Sequence, residues 1–161
     1  MTTAETKADL NRQIKETIAR FKKRASIEHT NLYTAVAKSC IQIENTAKRA
    51  MTNATLNMDI SYGKRGHNPS VPGSAPAVDS GTLRRSVTHT VVEYGGKVEG
   101  AVGSIITDPP YGAYLEHGTS KMQPRPWLIP SLDQNRDNIK KNMKDAVVSI
   151  NEISNDISVE V

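Results

Sequence analysis

The chain has 161 residues, with 21 basic against 17 acidic side chains and a net charge of +4. That length suits one domain able to bury roughly two thirds of its unfolded surface, yet 37% hydrophobic and 4% aromatic content is thin for a self-sufficient core. Part of the chain is therefore expected to be buried only in an assembly. A lone cysteine, Cys40, excludes a disulfide framework and fits a reducing compartment. The first thirty residues are polar and lack the apolar run of a secretion signal, and no later run is long enough to span a bilayer.

Residues 1–56 are expected to be helical. Leu10, Ile14, Ile18, Phe21 and Ala25 recur at three- and four-residue steps over 4–25. Tyr33, Val36, Ala37, Cys40, Ile43, Ala47, Ala50 and Met51 keep that period over 27–56, as a second helix or a continuation. No Gly or Pro interrupts Met1 to Tyr62. The first stripe is sparse, so its covering is expected to come from a neighbouring subunit. The basic run Arg20, Lys22, Lys23, Arg24 is a candidate DNA-facing patch, set against the simpler reading of a solvated helix face.

Residues 57–80 change character. Gly63, Gly66, Pro69, Pro72, Gly73 and Pro76 break regular structure, with Lys64, Arg65 and His67 between them. A loop of this length is functional or disordered more often than not. Here it is expected to be mobile in a monomer and an arm in an assembly, with Lys64 and Arg65 as further DNA-facing candidates. Asp79, Ser80, Gly81 and Thr82 signal a turn, and Leu83 is expected to open the first strand of a hairpin over 81–106. Gly95-Gly96 is a two-residue hairpin turn, and Val98 to Ile106 is the return strand. Arg84 and Arg85, on opposite faces of a strand, put one guanidinium toward the core side, where Glu116 is the nearest candidate partner. A bare hairpin is not stable alone, so helices or another chain must cover it.

Residues 108–153 read as helix, corner, helix. Asp108 followed by Pro109 and Pro110 is a helix-start signal. Tyr111, Tyr114 and Leu115 make one apolar face, and Gly118 is a stop. After the polar turn from Thr119, Pro124 and Pro126 hold the backbone extended and aim Trp127, the only tryptophan, into a last helix. That helix is expected to bury Leu132, Ile139, Met143, Val147 and Ile150. The tail 154–161 is a short strand or a frayed end.

Chemistry-bearing patterns are sparse. His29, His67, His89 and His117 are scattered, without a His-x-x-x-His pair. No Gly-x-Ser-x-Gly elbow and no phosphate loop occurs. No catalytic residue, metal or cofactor is expected; a hydrolase using Glu116 and His117 serves only as a foil. What remains is interaction chemistry, with Trp127 as core or as interface anchor.

Two segments are informative together. Val78-Asp79-Ser80-Gly81-Thr82-Leu83-Arg84-Arg85-Ser86, and the stretch from Tyr111 and Tyr114 through Glu116, Gly118, Thr119, Met122, Arg125, Pro126 and Trp127 to Leu128, resemble the neck or tail-completion proteins of tailed bacteriophages. Those proteins are also described as head–tail joining or minor tail components. Trp127 stands where Phe is commoner in that family, and the specific part of the likeness is confined to these two segments.

The residues themselves are expected to form a single α+β domain over 1–161, with long N-terminal helices, an antiparallel hairpin, a short helix and a C-terminal helix packed on the sheet, and the resemblance, which covers 30–150 in layout, implies a ring subunit of that kind. It implies a non-enzymatic virion protein, assembled in the host cytoplasm into a homo-oligomeric ring, a hexamer or dodecamer. The ring would sit between the head connector and the tail terminator or tube, with genomic DNA in its lumen. Asp79, Gly81, Leu83, Arg84, Arg85, Tyr111, Tyr114, Glu116, Gly118, Thr119, Arg125, Pro126 and Trp127 would then organise the subunit or its contacts. The alternative from a different class is a basic DNA-binding accessory protein.

Overall fold

The computed structural model describes residues 3–56 and 70–159, with side chains described over 12–56 and 70–149. The chain is α+β. Helix α1 (Thr3–Leu56) is followed by the short helix α2 (Thr82–Ser86), strands β1 (Val87–Tyr94) and β2 (Lys97–Ser104), helix α3 (Tyr111–His117) and helix α4 (Ile129–Val159). Of the two readings of the N-terminal run, a second helix or a continuation, the continuation is the one found: a single helix about 81 Å long at the usual rise. With no Gly or Pro to stop it and Ala, Lys, Arg and Glu throughout, nothing in the local sequence ends it.

Strands β1 and β2 pair antiparallel from Val87↔Ser104 to Tyr94↔Lys97. Gly95 (φ 56°) and Gly96 (φ 77°) both adopt the left-handed conformation that a two-residue turn of this twist requires. The hairpin lies on α1. Gly100 makes that approach possible, because a Cβ there would overlap the Cys40 sulfur and a Val36 methyl. Cys40 is buried as expected, and burial pushes its thiol pKa up.

Several expectations are corrected. Leu83 does not open a strand: Thr82–Ser86 form a helical turn, starting at Gly81 (φ 76°) and held by Arg85 N donating to Gly81 O at 2.9 Å. Leu and Arg are good helix formers, and after Thr82 the next β-branched residue is Val87. Strand β2 ends at Ser104, short of Ile106. Asp108 does not cap α3; Pro110 holds the N-cap position, with no side-chain bond. The 154–159 tail is neither strand nor frayed end but the continuation of α4. Of the expected mobile loop, residues 57–69, with Lys64, Arg65 and His67, lie outside the described residues. Residues 70–80 are anchored: Gly73 N donates to Pro124 O at 2.9 Å and Val78 N to Thr55 Oγ1 at 2.6 Å.

Helices α1 and α4 run antiparallel, as shown by contacts from Asn135 to Thr46 and from Asn142 to Ser39. The face that α4 buries is not the expected one. Ser131, Asn135, Asn142 and Ala146 are buried, Ile139 and Met143 are half-buried, and Leu132 and Val147 face outward. On α3 likewise, Tyr111 and Tyr114 are exposed and the buried residues are Gly112 and Glu116. The apolar core gathers at the C-terminal end of α1: Ala47, Met51, Val87 and Trp127, with Ala75, Val78, Leu83, Leu115 and Leu128 against them.

Candidate functional site

That core brings the two informative segments together. Residues 78–86 supply Val78 and Leu83, residues 111–128 supply Leu115, Trp127 and Leu128, and both pack on Met51 and Ala47 of α1. The junction is held by directed bonds. Glu116, only 8% exposed, does not meet Arg84 or Arg85. Its Oε2 accepts the backbone N–H groups of Trp127 (2.7 Å) and Leu128 (2.9 Å), and its Oε1 accepts that of Ile129 (2.9 Å). These three donors open α4 and have no partner inside the helix. The carboxylate also sits at the positive end of a 31-residue helix dipole. The expected ion pair is replaced by a cap made across eleven to thirteen residues of sequence.

Trp127, 3% exposed, fills the core, and its Nε1 donates to Gly112 O at 3.0 Å. Its own carbonyl accepts the Ser131 hydroxyl at 2.5 Å. Gly112 favours this packing: a Cβ would stand 3.2 Å from both the indole and Ser104, tight enough that a neighbour would have to shift by a few tenths of an ångström. The Gly118 stop is real, at φ 76°, and a Cβ there would lie 2.7 Å from Met122 O. Thr119 and Met122 close the intervening turn with reciprocal backbone bonds of 2.8 and 3.2 Å. Arg125 ties three parts together, its N–H donating to Leu115 O at 2.7 Å and its Nε to Ser70 O at 2.9 Å. Pro126, half-buried, lies between it and Trp127. Arg85 donates from Nη1 to Ser80 O at 3.1 Å and is exposed, as is Arg84.

Between the segments lies a cleft of about 510 Å³. Its floor is Met51, Leu83, Ile106 and Leu115, and its rim carries Asp79, Arg84, Tyr111 and Arg125. Asp79, Gly81, Leu83, Arg84, Tyr111 and Arg125 thus share one concavity, while Tyr114 and Thr119 are exposed outside it. The basic run lies apart on α1: Arg20, Lys22 and Lys23 are exposed, and Arg24 pairs with Glu28 at 2.7 Å.

A second charged cluster joins α1 to β1. Glu44 of α1 holds Lys48 and, through Oε2, His89 Nδ1 of β1 at 2.5 Å. Burial pushes the Glu44 carboxyl pKa up, but the hydrogen bonds and positive charge of Lys48 and His89 outweigh it, leaving the carboxyl below its ordinary range. Further along, His29 Nε2 lies 2.7 Å from Glu93 Oε1. The i,i+4 spacing of Glu44 and Lys48 was available in the sequence; the histidines needed the hairpin to be placed first.

Among the described residues no three His, Cys, Asp or Glu side chains converge to hold a metal ion, and no helix is long and apolar enough to cross a membrane. Comparison with protein-family models, with curated proteins and with solved structures returns no match.

Proposed function

We propose that this chain is a structural subunit of the bacteriophage head–tail interface, a neck or tail-completion protein that assembles into a ring around the DNA channel. The observation that carries the reading is the meeting of the two family-like segments in one junction, with their motif residues in explicable roles. Glu116 caps α4, Gly112 and Gly118 permit close approaches, Arg125 pins the preceding loop, and Trp127 takes the aromatic position of the motif. Such a junction makes a rigid corner, and a mechanical coupling piece needs one.

A second feature supports assembly in general. Large apolar side chains stand open along the molecule, including Ile14, Ile18 and Phe21 of α1 (Phe21 at 66%), Tyr94 at 84%, and Ile105. Ile14 and Ile18 are each 48% exposed, so this stretch of α1 presents an apolar stripe to solvent. A helix with an uncovered stripe of that kind gains stability from a partner.

The test is mass and location. Light scattering or native mass spectrometry of the purified chain, with and without tail-tube extract, is expected to show a ring, and mature particles are expected to contain the protein. A monomer under both conditions together with absence from particles overturns the proposal. The exposure of Arg20, Lys22 and Lys23 favours the second reading, a DNA-binding accessory protein. It predicts a salt-sensitive shift of duplex DNA, and no shift at low salt removes it.

A further inference from the structure

The hairpin has an open edge whose chemistry selects a partner. A two-residue turn makes Tyr94↔Lys97 a hydrogen-bonded pair, and such pairs then alternate along the ladder. The bond from Ile105 N to Ser86 O at 3.1 Å falls on the same parity. The main-chain groups of Val98, Gly100, Val102 and Ser104 therefore point away from β1. Among the described residues no backbone bond beyond the hairpin satisfies them. Gly100 is exposed even though its Cβ direction is filled by Cys40 and Val36, so the exposed surface is its main chain. The edge carries no proline, no bulge and no charge on its α1-facing side; its two charges, Lys97 and Glu99, lie on the solvent face near the turn.

We infer that this β2 edge binds a second copy of the chain, the two β2 strands adding antiparallel about a two-fold axis to make a four-stranded sheet. The edge is complementary to itself in one register. Aligning Val98 with Ser104 and Gly100 with Val102 of the second copy pairs every outward donor and acceptor over the strand. On the solvent face that register sets Lys97 opposite Ile105, Glu99 opposite Gly103, and Ala101 opposite Ala101. No like charges face each other, and the Lys97 stem covers Ile105, a side chain otherwise 70% exposed. The small residues Gly100, Ala101 and Gly103 leave room at the axis. The inference goes beyond the neck reading and does not rest on it: ring closure needs a further contact, and a ring built of such pairs has an even number of subunits.

Ala101 is exposed, so charging it leaves the fold intact and puts like charges face to face across the axis. Ala101→Glu and Ala101→Lys are each expected to lower self-association at least tenfold in native mass spectrometry, and an equimolar mixture is expected to restore it as a heterodimer. Hydrogen exchange on the unaltered chain is expected to show the amides of 98, 100, 102 and 104 becoming as protected as those of 97, 99, 101 and 103 as concentration rises. Unaltered association of both variants, or an oligomer whose 98–104 outward amides stay in fast exchange, overturns the inference while leaving the ring proposal standing. A monomer at every concentration, with those amides fast, overturns it as well. A dimer with protected amides that is absent from particles upholds it while the neck reading fails.

Discussion

The two ends of the α1 docking face are built on opposite principles. Near residue 50, Ala47 and Met51 bury themselves against Val87 and Trp127, and burial itself specifies the fit. One to three turns earlier, the same face meets α4 through amides and hydroxyls. Asn135 Nδ2 donates to Thr46 Oγ1 at 2.9 Å, and Asn142 Nδ2 donates to Ser39 Oγ at 3.0 Å and Gln42 Oε1 at 2.9 Å. Apolar contact tolerates sliding. Paired amides spaced seven residues apart do not, because a slip leaves buried donors unsatisfied. One end supplies adhesion and the other supplies register.

Truncating the apolar end should cost most. Trp127→Ala removes the largest core side chain and its bond to Gly112, and is expected to lower stability by about 4 kcal/mol in urea or thermal unfolding. Next comes the cap. Glu116→Ala strands three N–H groups, that of Trp127 buried and those of Leu128 and Ile129 partly so, and is expected to cost about 2–3 kcal/mol, with Glu116→Gln recovering part of it. If Glu116→Ala instead unfolds like the unaltered protein and only assembly suffers, the carboxylate acts between subunits and not within one. At the polar end, Asn142→Ala should cost about 1–2 kcal/mol, and pairing it with Ser39→Ala should be less than additive. Strict additivity there would deny the amide contact any role in register.

The smallest effect is on pH. A carboxyl held below its ordinary range stabilises the fold above that range, and the contribution is lost as pH falls through it, because the unfolded chain takes the proton first. Stability should therefore fall on acidification from about pH 5 partly through Glu44, and His89→Ala should flatten that part of the profile. An unchanged acid limb would show that the Glu44–His89 contact does not tie β1 to α1.

Much of this architecture was legible in the residues. The uninterrupted run to Leu56, the Gly95-Gly96 turn, the Gly118 stop and a core Trp127 all follow from local rules that tertiary contact does not override. Two departures share one cause. The sequence offers Arg84 and Arg85 as partners for Glu116, but its partners are main-chain amides, which every residue carries and no pattern advertises. Hydrophobicity alone picks out Leu132 and Val147 on α4, but it cannot see that Asn135 and Asn142 find acceptors on α1 and so can be buried while Leu132 and Val147 stay out. Leu83 differs in kind: Leu-Arg-Arg suits a helical turn, and the strand begins only after it.

The contact between Gly100 and Cys40 has a practical corollary. The only thiol in the chain lies under the hairpin, 5% exposed, at a point where even a methyl group does not fit. A thiol reagent can reach it only when the hairpin lifts from α1. The alkylation rate under mild conditions thus reports the free energy of that local opening, one clock built into the molecule for the motion of a single element.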